Sequence, residues 1–194
     1  MPNLNSPLRS TTDPNWAAFI IKELAPFLAD HANCERKASA FAMSMVARYP
    51  DRQQILPRLI ALAREELDHF EQVYQIMANR GIALAPDCKD PYVNQLLAQA
   101  NTQGETRLLD RLLISGLIEA RGAERFGLLS EALQEPQLKQ FYQVLGQCEG
   151  RHYHLFIEMA GVYFSPEQIT HRLAELAEHE AEIVSQLVWR PSLH

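Results

Sequence analysis

The chain has 194 residues, 47% of them apolar and 22% charged, and a formal net charge of −6. That length suits one domain with one core, and the balance is that of an ordinary folded protein. The acidic charge argues against a general nucleic-acid binder, which needs clustered Lys and Arg against phosphates, but it leaves room for a local basic patch.

In chain order, the polar start MPNLNSPLRSTTDPN lacks the apolar stretch of a signal peptide, and residues 1–13 read as a flexible segment. Asp13-Pro14 looks like an N-cap followed by proline and predicts a short helix to about Leu24. After Pro26 a long helix runs to about Tyr49 and stops at Pro50. Asp51 with Gln54 has capping-box spacing and opens a second long helix, ending near Gly81. Residues 81–103 form a long connection with one short helix from about Asp90 to Ala100. Thr102 with Glu105 opens a third long helix to about Gln134, and Pro136 starts a fourth, ending near Gly161. Ser165, Pro166 and Gln168 open a fifth, to about Trp189. No period-2 alternation predicts strands, and no apolar run is long enough to span a bilayer, so an all-α cytoplasmic protein is expected. Cys34, Cys88 and Cys148 have no metal-finger spacing and no disulfide framework is expected.

The apolar stripes carry the chemistry. The second long helix gives Ile55, Leu59, Leu62, Glu66, His69, Val73 and Ile76, alternating steps of four and three. The fourth gives Leu138, Tyr142, Leu145, Glu149, His152, Phe156 and Met159, with the same steps. The first gives Leu28, His31, Glu35, Ala38, Ala42 and Met45, and the third Leu108, Leu112, Ser115, Glu119, Gly122, Phe126 and Leu129. This is the seam of a packed bundle helix, and each seam has a glutamate where leucine is expected. Buried carboxylates are costly unless something binds them.

Registry brings the glutamates together. Glu35 lies 14 residues before Tyr49 and Glu66 lies 14 after Arg52, so a hairpin turning near residue 50 sets them level. Glu119 and Glu149 likewise flank a turn near Pro136. In both halves the second glutamate is followed by histidine at i+3, on the same helix face. Glu35, Glu66, His69, Glu119, Glu149 and His152 form the ligand set of a carboxylate-bridged dinuclear metal site in a ferritin-like four-helix bundle. The fold expected is that bundle as a single domain, with residues 81–103 as its one long crossover, a short N-terminal helix and an additional C-terminal helix. The mixed oxygen and nitrogen set suits iron or manganese.

Other candidates surround this core. His31 is four residues before Glu35 and can be a polar core residue bonded to the site. Glu175 and His179 have ligand spacing but no partner repeat, and read as a surface pair; His154 reads as exposed. Arg36, Lys37, Arg121 and Arg151 follow the ligands by one or two positions and point away from them. Glu180, near the apolar stripe of the fifth helix, has no role in this reading.

The stretches HANCERKASAF, REELDHFEQVYQIMANRGI, LISGLIEARGAERF and FYQVLGQCEGRHYHLFIEMA resemble the bacterial tRNA hydroxylases that act on 2-methylthio-N6-isopentenyladenosine. The resemblance runs from about residue 14 to 188. It implies an O2-dependent di-iron monooxygenase, with two iron ions, an external electron donor or reductase, and tRNA carrying a prenylated adenosine beside the anticodon. All six ligands the resemblance implies are present. A cluster of Arg48, Arg52, Arg58, Arg107 and Arg111 would share one end of the expected bundle and could hold tRNA phosphates. Three alternatives remain open at this point: a ferritin-like ferroxidase or iron store, a di-manganese catalase, and a metal-free helical interaction module.

Overall fold

A computed structural model describes residues 6–194. Among these residues the chain forms seven helices and no strand: α1 Asn15–Lys22, α2 Leu24–Arg48, α3 Leu56–Asn79, α4 Pro91–Leu97, α5 Thr106–Ala132, α6 Pro136–Gly161 and α7 Pro166–Gln186. They pack as two compact units. One unit is built on the α2–α3 hairpin, residues 22–88 with 190–193; the other holds most of α1 and all of α4 to α7.

In the first unit the two helices meet along the seams read from sequence. Leu28, His31, Glu35, Ala42 and Met45 of α2 are buried, as are Leu59, Leu62, Glu66, His69 and Val73 of α3. Ala38 and Ile76 are only half-buried. The capping box expected at Asp51 and Gln54 is not formed. Residues 51–55 are turns closed by Arg52 N–H to Tyr49 O at 3.1 Å and Ile55 N–H to Arg52 O at 3.0 Å. The helix begins instead at Leu56, with Pro57 in the first turn, where a missing N–H costs nothing. It ends as expected: Gly81 takes φ +68°, which lets Ile82 N–H reach back to Met77 O at 2.9 Å.

In the second unit α5 and α6 pair along their full seams. Gly116 and Gly146 allow this: a Cβ on Gly116 would come within 3.3 Å of Tyr153, and one on Gly146 within 3.3 Å of the Ala123 carbonyl. Helix α5 also starts later than expected. Gly104 turns the chain with φ +76°, and the Thr102–Glu105 box gives way to a start at Thr106. Helix α4 is capped by Asp90, which accepts from the Tyr92 and Val93 N–H groups. The Ser165–Gln168 capping box of α7 is present as read. That helix stops at Gln186 rather than Trp189, because Leu187 leaves for extended backbone ahead of Pro191.

Of the N-terminal segment expected to be flexible, residues 1–5 lie outside the described residues. Its later part is tied down in the second unit: Thr12 N–H donates to Glu124 at 2.8 Å, and the Ser10 carbonyl accepts from Arg121 at 3.0 Å. Among the described residues no helix is long and apolar enough to cross a membrane.

Candidate metal centre

The first hairpin brings Glu35, Glu66 and His69 together, with one donor atom from each within 4.8 Å of the others. All three side chains are buried. His69 Nδ1 lies 3.2 Å from Glu66 Oε2 and 3.7 Å from Glu35 Oε2. His31, fully buried one turn before Glu35, sets its Nε2 2.6 Å from Glu35 Oε1. Burial alone would raise the Glu35 carboxyl; the hydrogen bonds and positive charge of His31 and His69 outweigh it and hold the group well below the usual carboxylate range. His31 also packs its ring 5.9 Å from Phe27, so its orientation is fixed from two sides.

The second hairpin repeats the pattern. Glu119, Glu149 and His152 also place one donor atom each within 4.8 Å of the others. Glu149 and His152 are buried, and Glu119 is half-buried. His152 Nδ1 is 3.5 Å from Glu149 Oε2. A Cβ on Gly122 would sit 3.9 Å from the Glu149 side chain, so the small residue on α5 faces the carboxylate on α6. Ser115 occupies the place that His31 has in the first hairpin, but its hydroxyl donates to Arg111 O at 2.9 Å.

Each half therefore offers two carboxylates and one imidazole on rigid helices in a water-poor seam. This donor chemistry fits a divalent first-row metal such as iron or manganese better than a thiolate-bound one. Without a cation, two carboxylates packed this closely would repel and each would bear a desolvation cost.

The remaining candidates fall elsewhere. Glu175 is engaged by Arg172 at 2.8 Å and His171 at 3.3 Å, and His179 lies 3.6 Å from Glu182, all near the surface of α7. His154 is exposed. Cys148 is buried, Cys34 half-buried and Cys88 exposed, with no disulfide among them. Arg36 and Lys37 pair with Asp87 at 3.1 and 3.0 Å, and Arg151 reaches Cys148 Sγ at 2.9 Å. Arg48 and Arg58 are exposed beside the α2–α3 turn; Arg52, Arg107 and Arg111 are half-buried, with Arg52 3.3 Å from Asp51.

What the sequence reading missed is the partner of Glu180. Arg121, turned away from Glu119 on α5, is completely buried and grips Glu180 of α7 through Nε at 2.8 Å and Nη2 at 2.9 Å. Tyr92 donates to the same carboxylate at 3.0 Å, and Arg121 also contacts Glu124 and Thr12. Desolvation would lower the Arg121 guanidinium, but the Glu180 carboxylate more than compensates and holds it firmly charged. The signal was available: a lone glutamate in the α7 apolar stripe had to have a buried cation.

An all-helical chain with buried Glu and Glu-x-x-His seams falls among ferritin-like carboxylate-metal proteins. A solved structure of that class, "Protein 43 with aldehyde deformylating oxygenase activity from Synechococcus", matches with TM-score 0.91 and 36% identity, covering 96% of this chain and 94% of that one. The model of the family described as tRNA-(MS[2]IO[6]A)-hydroxylase (MiaE) matches residues 1–194, and the chain belongs to that family. It is similar to the tRNA 2-(methylsulfanyl)-N(6)-isopentenyladenosine(37) hydroxylase of Pseudomonas putida (strain KT2440), 32% identical over 95% of this chain and 89% of that protein. The protein of the same name from Salmonella typhimurium (strain LT2) is 34% identical over 68% of this chain and 48% of its own length.

Proposed function

We propose that this protein hydroxylates the isopentenyl side chain of 2-methylthio-N6-isopentenyladenosine beside the tRNA anticodon. The observation that carries this reading is the family match along the whole chain, together with the two donor sets of the same composition. In this reading residues 1–194 are a single domain with residues 81–103 as its crossover, and its cofactor would be a pair of iron ions. Glu35, Glu66, His69, Glu119, Glu149 and His152 are the metal ligands. When bound, the iron pair supplies the activation of O2 that insertion into a C–H bond needs. One oxygen atom enters that bond and the other leaves as water, which consumes two electrons from an external donor or reductase, and two protons.

The chain's own contribution is placement. The buried seams exclude bulk water, and His31 holds Glu35 ionised and oriented. Arg48, Arg52, Arg58, Arg107 and Arg111 serve as phosphate contacts, which would let an acidic protein hold tRNA locally. Reversing the charge of Arg107 and Arg111 should weaken tRNA binding and flatten its salt dependence; an unchanged slope sinks that assignment.

The decisive assay combines reduced, iron-loaded protein, O2, a chemical reductant and tRNA bearing the prenylated adenosine. Digestion and mass spectrometry should find the nucleoside heavier by one oxygen atom, and Glu66→Ala should abolish the product. A parallel reaction with an aldehyde tests the activity named for the Synechococcus protein. Turnover of the aldehyde with untouched tRNA would transfer the assignment to that chemistry. Iron oxidation with neither organic product would leave a ferroxidase.

A further inference from the structure

Helix α3 carries a second apolar seam, one residue out of step with the first. Leu56, Ile60, Ala63, Leu67, Phe70, Tyr74 and Met77 repeat the alternating steps of four and three. Ala63 and Met77 are buried. The three members spaced seven apart are not: Ile60 is 44% exposed, Leu67 52% and Tyr74 43%. Met43 of α2, 47% exposed, extends the same surface. Ser39 Oγ donates to Ala63 O at 2.7 Å, which sets α2 alongside α3 here and brings Met43, one turn on, level with Ile60. A helix needs one seam to join its own hairpin; a second apolar line facing water is the mark of a second partner.

The charges beside the line say which partner. Arg64 and Glu71 are both exposed and flank Leu67, three residues before it and four after. Seven residues separate them, too far for a pair within the helix. If a second α3 runs antiparallel with Leu67 on a twofold axis, Arg64 is level with the partner subunit's Glu71 to within about 1.5 Å, and the reverse pair forms by symmetry. A parallel arrangement would set like charges side by side. RNA is a poor match for this face, because the exposed Asp68 and Glu71 outnumber Arg64 there.

We propose that the α3 stripe is a homodimer interface, antiparallel and centred on Leu67, with Ile60 packing against the partner subunit's Tyr74. The proposal is independent of the reaction assigned above.

Light scattering or sedimentation of the full chain across a wide concentration range tests it. A concentration-dependent dimer is expected. Leu67→Glu should abolish the dimer while leaving the helical circular dichroism intact, since Leu67 is not part of the buried core. Arg64→Glu alone and Glu71→Arg alone should each shift the population toward monomer, and the double variant should restore the dimer. A chain that stays monomeric, a dimer insensitive to Leu67→Glu, or a double variant no better than the single ones overturns the proposal. A monomer whose stripe is protected from hydrogen exchange only by added tRNA would assign the face to that ligand and equally overturn it.

Discussion

The two hairpins carry the same ligand pattern on their inner seams and differ on every other side. In the first, the position four before the leading glutamate is His31, bonded to Glu35; in the second it is Ser115, turned onto its own backbone. Two residues after that glutamate the first hairpin has Lys37, partly exposed and paired with Asp87, whereas the second has Arg121, completely buried against Glu180. The inner face is fixed by what it must hold. The outer face is fixed by what covers it: α5 has α4 and α7 against it, while α3 keeps an apolar stripe in water. The pseudo-repeat is thus a repeat of donors and not of environments.

The sharpest way to break this comparison is at the outer basic residue. Glu180→Ala should destabilise the fold by about 3 kcal/mol in denaturant titrations, because it takes the two-point carboxylate partner from a buried guanidinium and leaves it Glu124 alone. The double variant Arg121→Met with Glu180→Leu should recover most of that loss. The inner faces come next. His31→Ala should weaken cobalt or iron binding by about 10–100-fold in competition titrations, while Ser115→Ala should leave it nearly unchanged. Equal effects would mean that His31 does not orient Glu35.

Asp90 gives a smaller effect with a defined pH window. Burial would raise its carboxyl, but His194 at 3.4 Å and the N–H groups of Val93 and Tyr92 lower it to about 2. Its folded value lies below its ordinary 3.8, so its contribution is complete above that pH and fades as pH falls toward 2. Asp90→Ala should cost about 1 kcal/mol at neutral pH through the lost helix cap, and acid titration of stability should flatten over that window. The smallest change is expected at Lys37→Ala, within about 0.5 kcal/mol, since its ion pair is solvated.

The inner seams were legible because burial selects residue type at a fixed period. Nearly every seam position from Leu28 to Met159 is buried, and both glutamate pairs are level as the registry predicted. Helix starts were less legible. Asp51 and Thr102 carry capping residues at the right spacing, yet Pro57 and Gly104 fix the backbone more strongly and move the starts of α3 and α5. The Arg121–Glu180 pair could not be read locally, because a buried pair across 59 positions leaves no periodic trace. A charge inside an apolar stripe was the only sign of it.

That long-range clasp also bears on how the protein is made. At about 5–20 residues per second, Glu180 is synthesised roughly 3–12 s after Arg121. For that interval the nascent α5 holds a cation whose buried partner does not yet exist. The second hairpin can gather its apolar seam early, but it reaches its final packing only after the C-terminal helix has been translated.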